Sequence, residues 1–233
     1  MHEKLTGHEQ KVWGEQFPAC DGIKRREDLI FVYPKDLLGQ ASEIADRLQK
    51  ATDFLKYVTS IDPVRDFRSR LVIGYTKQSS QPNWSGIRGN RIHIPWDKYL
   101  NVPNEPLDLC SHELVHPFYN RSPLHDSNER WGNCFCEFLR GPVKNVLGLD
   151  GKTWWFEKLN DKRSAKQNYG NVAGQFLLKA KGKFGSPNES EELFADRFIK
   201  DRESIKEFVA YLFKEFSHRK LSSEFVPTLK IGN

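Results

Sequence analysis

The stretch "CSHELVHPFYN", Cys110 to Asn120, sets two histidines four residues apart with a glutamate directly after the first. On a helix, positions i and i+4 lie one turn apart on one face, so the imidazoles of His112 and His116 can converge on a single ion. Glu113 is rotated from that face just enough to reach a water held by the ion. The neighbouring residues favour a helix. Leu107, Leu109, Leu114 and Val115 alternate with polar groups, and Pro103 and Pro106 stand where a helix can open but seldom continue. With 7 histidines in 233 residues, the pattern is expected by chance roughly 0.015 times per chain. Two exposed helix histidines are therefore the weaker reading.

The donor set suits a catalytic zinc, Zn2+, which takes three protein ligands and keeps its fourth position for water. Zinc lowers the pKa of that water to about 7, and a neighbouring carboxylate removes the proton as the water attacks a carbonyl. Glu113 is the expected base. The third ligand separates the known patterns. A metzincin would carry Gly where Tyr119 stands and His where Ser122 stands, which excludes that class. A glutamate ligand from a following helix leaves Glu129 or Glu137, with His125 as an outsider. Glu129 and Glu137 lie about 12 Å apart along a helix and cannot both reach one ion. Glu129 is favoured because Asn133, four residues on, falls on the same face, where its amide can bond the far nitrogen of a ligand histidine and fix its tautomer.

"HELVH", then eleven residues, then "NERWGN" resembles the arrangement of enhancin-like, mucin-degrading gluzincin peptidases, and more loosely that of the thermolysin-like group. The resemblance covers about residues 107 to 140. It implies a zinc metallopeptidase acting on a peptide, protein or glycoprotein, with His112, His116 and Glu129 as metal ligands, Glu113 as base and Asn133 behind the ligands. Two departures are visible. Pro117 directly follows His116 and should end or kink the helix early. "NCFCEFL" also resembles the "EGFAEYL" run of other gluzincins, with Asn133 in the ligand glutamate's place. Upstream, "RIHIPW" resembles the gluzincin edge strand that lies above the metal and pairs with substrate backbone; a plain core strand is the alternative.

Bulk composition narrows the remaining classes. A hydrophobic content of 38% with 16 Phe and 6 Trp belongs to a folding chain rather than a disordered one. No run approaches the roughly 20 apolar residues that span a bilayer, so no membrane partner is expected. The start carries no signal-peptide pattern, which reads as cytoplasmic, or as secreted if a signal has been removed. A net charge of +5 is too mild to argue for nucleic acid. Cys20, Cys110, Cys134 and Cys136 are too few for a disulfide framework. They read as free thiols, with Cys134 and Cys136 as core.

Along the chain, residues 1–28 read as an irregular lead-in. The segment 34–61 places Leu37, Leu38, Ile44, Leu48, Ala51, Leu55 and Val58 at helical spacing. Residues 67–76 and 90–96 read as strands joined by a loop, and a second helix should start near Asp126 or Ser127 and run to 141. Segments 170–182, 189–201 and 203–218 read as helices. The expectation is one α+β, zincin-like domain over 1–233. An N-terminal mixed lobe, about 29–120, would carry a small sheet and the active-site helix, and a helical lobe would follow over 121–233. Its rivals are a catalytically inactive zincin-fold binding protein and a basic nucleic-acid-binding protein.

Overall fold

In the computed structural model, residues 5–13, 21–76, 84–85, 91–95, 105–125, 129–151 and 169–216 are described. They form a mixed α+β structure. Helix α1 (Gly7–Trp13) precedes strands β1 (Gly22–Arg25) and β2 (Leu29–Tyr33), a 3-10 turn at Lys35–Leu37 and helix α2 (Ala41–Thr59). Helix α3 (Pro63–Phe67) leads into β3 (Leu71–Thr76), β4 (Trp84–Ser85) and β5 (Arg91–Pro95). Then come α4 (Glu105–Glu113), α5 (His116–Tyr119), α6 (Glu129–Val146), α7 (Tyr169–Phe184), α8 (Glu191–Phe198) and α9 (Arg202–Glu215).

The sheet order is β1-β2-β3-β5-β4. Strands β2, β3 and β5 run parallel, and β1 and β4 close the two sides antiparallel. The run "LIFVY" of β2 is buried at every position, as a strand covered on both faces must be. Its alternation divides the core. Leu29, Phe31 and Tyr33 join the large cluster beneath the helices, whereas Ile30 and Val32 join a smaller one with Trp13, Ile23 and Val72.

The lead-in is thus not irregular throughout: it supplies α1, which covers the second face, and the edge strand β1. Trp13 sits over β3 at Gly74, where an added Cβ would fall inside the indole ring. Gly74→Ala is expected to lower stability by about 1–3 kcal/mol through overpacking. Chemical denaturation reads this directly, and an unchanged midpoint would mean that the indole is not seated there.

Helix α2 begins later than the 34–61 pattern suggests. Leu37 is buried in the 3-10 turn, but Leu38 is 59% exposed and does not belong to the apolar stripe. From Ala41 on, Ile44, Leu48, Ala51, Leu55 and Val58 are buried, and α2 packs on β2, α6 and α9. Helix α6 runs beyond 141, through Pro142 to Val146; Asp126 and Ser127, the expected caps, lie outside the described residues. Strand β5 is not the edge that "RIHIPW" suggested, because β4 pairs with it at Ile92 and His93. Helix α4 packs against β5, and α6 packs against α2, α4, α5 and α7. No described helix is long and apolar enough to cross a membrane.

Candidate metal centre

The two histidines do not share one unbroken helix. Helix α4 ends at Glu113, Leu114 and Val115 form a turn, and α5 starts at His116. Pro117 explains the break: it has no N–H to donate to the carbonyl four residues back. The turn tightens instead, with the Leu114 N–H reaching Cys110 O at 2.9 Å and the Val115 N–H reaching only three residues back to His112 O at 3.1 Å. The one-turn offset survives, and the rings meet with centroids 5.0 Å apart at 67°.

Their Nε2 atoms are 3.2 Å apart. Two nitrogens each about 2.0–2.1 Å from a tetrahedral zinc would stand roughly 3.4 Å apart, so the pair fits one ion with almost no movement. Two lone pairs facing each other at that distance repel unless a proton or a cation lies between them. His112 Nδ1 donates to Glu137 Oε1 at 2.7 Å, which puts its proton on the far side of the ring and leaves Nε2 directed at His116. Burial, with His112 beside it, pushes the His116 pKa down to about 3. Its imidazole is therefore neutral at ordinary pH, the form in which a histidine donates to a metal.

Behind Glu137 runs a chain of charges. Arg140 Nη1 donates to Glu137 Oε1 at 3.2 Å and Arg140 Nη2 to Asp108 Oδ1 at 2.8 Å. Lys144 Nζ lies 3.3 Å from the same Asp108 oxygen. This chain ties α6 back to the first turn of α4 and fixes the angle of the His112 ring.

Asn133 is at the site but not where its expected role would put it. Its Oδ1 lies 3.2 Å from His112 Nε2, the nitrogen that faces His116, while the far nitrogen belongs to Glu137. Glu129 opens α6 one turn before Asn133; its side chain lies outside the described residues. Glu137, weighed as a ligand, is occupied behind His112. His125 is exposed, with its ring 5.8 Å from that of Tyr119. Tyr119 is buried and donates to Leu124 O at 3.1 Å.

Glu113 is 9% exposed and lies close enough to Cys110 and Cys136 for its charge to push both thiol pKa values further up, burial being the larger cause. The sequence pattern reads Cys136 as a core residue. It is buried, yet among the described residues its sulfur joins His112 and His116 in a group of potential ligand atoms all within 4.8 Å of one another. A signal was present: Asn133, Cys136, Glu137 and Arg140 stand at i, i+3, i+4 and i+7, one face of α6. Cys110 and Cys134 are also buried free thiols. Compared with family models, curated proteins and solved structures, the chain matches none of them.

Proposed function

We propose that this chain is a zinc-dependent metallopeptidase of gluzincin type with a zincin-like α+β fold, acting on peptide, protein or glycoprotein substrates. The observation that carries the reading is the 3.2 Å approach of the two Nε2 atoms, with the His112 proton held on its far side by Glu137. Bound zinc would supply a Lewis acid that polarises a carbonyl and acidifies water. The chain's own residues do the rest. His112 and His116 would hold the ion, Glu137 and Arg140 orient His112, and the Glu113 carboxylate would take a proton from the attacking water and pass it to the leaving amine. The position of α4 against β5 supports the zincin-like reading. The antiparallel β4, rather than β5, is then the strand beside which an extended substrate would align.

A second reading has one observation in its favour. Asn133, a neutral amide, occupies the place beside His112 Nε2 where a carboxylate ligand would be expected. A metal-holding binding protein on the same fold would tolerate that exchange. The two readings part on turnover. Purified protein should contain about one zinc per chain, the number that one site holds. It should cleave a denatured protein or a mucin-type glycoprotein, lose that activity to a chelator and regain it on adding zinc. Full zinc occupancy without cleavage of either substrate supports the binding protein, and absence of bound metal defeats both.

A further inference from the structure

We infer that the third protein ligand of this centre is the Cys136 sulfur, giving a His2Cys site rather than the two-histidine, one-glutamate set of the sequence reading. The inference rests on the metal reading above and concerns only its ligand set. Two neutral imidazoles leave the full charge of a dication uncompensated in a buried pocket, so the remaining ligand should be anionic. Asn133 is beside His112 Nε2 but brings no charge. Glu137 has charge but is bonded to the opposite ring nitrogen and to Arg140. Cys136 can meet both conditions: its sulfur lies within 4.8 Å of both histidine ligand atoms, and the metal displaces its proton to give an anionic thiolate ligand.

Helix geometry supports the choice. Cys136 follows Asn133 by three residues, so both project toward α4 and α5 from one face of α6. The backbone of Glu129 lies seven residues earlier, about 10 Å along the axis. Zinc is borderline-soft and accepts sulfur at about 2.3 Å. On binding, the S–H proton leaves to solvent as the metal–sulfur bond forms, so charge and atoms balance with no further reactant.

Cobalt(II) substitution reads the ligand set without reference to activity. The wild type loaded with cobalt should show a near-ultraviolet sulfur-to-metal charge-transfer band. That band should disappear in Cys136→Ser and persist in Cys134→Ser and Glu129→Gln. X-ray absorption of the zinc-loaded wild type, which needs no variant to fold, should show one sulfur at about 2.3 Å. Cobalt or zinc bound with only nitrogen and oxygen neighbours overturns Cys136 while leaving the metal reading intact. Failure of the wild type to bind either metal overturns both.

Discussion

Replacing Glu113 with Gln is expected to lower peptide hydrolysis by about 10²- to 10⁴-fold, the usual contribution of a positioned general base, while bound zinc stays at the wild-type level. The substitution keeps the size of the side chain and its capacity to hydrogen-bond, and removes only the ability to accept a proton. Metal should be retained because the two histidines converge without help from Glu113. Their approach is set by the tight turn at Leu114–Val115 and by Glu137 behind His112. Glu113 is buried at the end of α4 and acts electrostatically on the Cys136 thiol, so its charge is felt on the side of the centre that faces α6. Activity and zinc content measured side by side give the test. A Glu113→Gln protein that cleaves as fast as the wild type would place the base elsewhere, and one that loses its zinc would make Glu113 part of the metal's own support.

The motif could be read in the sequence because helical spacing alone brings His112 and His116 together, and the tightened turn that Pro117 imposes leaves that spacing in force. Helices α2, α7, α8 and α9 were legible for a similar reason: each carries a periodic apolar stripe next to capping or turn residues. The strands were harder. "LIFVY" is apolar at every position, so it has no alternation to count, and its two faces are distinguished only by what covers them, the helices on one side and Trp13 on the other. Strand β5 looked like an edge because its neighbour β4 is two residues long and sits in a stretch whose composition reads as loop.

The roles on α6 were ambiguous for a different reason. Glu129 to Asn133 and Asn133 to Glu137 are both i, i+4 pairs of one carboxylate and one amide, so the same pattern occurs twice, one turn out of phase. Only the docking of α6 against α4 chooses between the phases. It places the Glu137 carboxylate on His112 Nδ1 and the Asn133 amide beside the Nε2 that faces His116, while the side chain of Glu129 lies outside the described residues. Cys136 was hidden by its chemistry: a buried cysteine behaves as a small apolar residue in any pattern, Cys134 is equally buried, and only the helix face shared with Asn133, Glu137 and Arg140 separates the two.

That phase has an energetic consequence at Glu137. Glu137→Ala is expected to weaken zinc binding by about 10- to 100-fold, the usual effect of removing the partner that orients a ligand histidine. Without the carboxylate, the His112 proton is no longer drawn to Nδ1. The ring can then turn or carry its proton on Nε2, and both states compete with the metal. Stability should fall as well, by about 1.5–3 kcal/mol for the lost charge-assisted hydrogen bonds. The larger penalty of an abandoned buried charge is not expected, because Arg140 keeps Asp108 at 2.8 Å. Glu137→Gln separates orientation from charge, since its amide oxygen can still accept from Nδ1. It should therefore recover much of the affinity that Glu137→Ala loses. Chelator competition measures affinity, and thermal unfolding of the metal-free proteins measures stability. Wild-type affinity in Glu137→Ala would show that the His112–Glu137 contact does not orient the ligand. Equal losses in Ala and Gln would show that the negative charge, not the tautomer, is what Glu137 contributes.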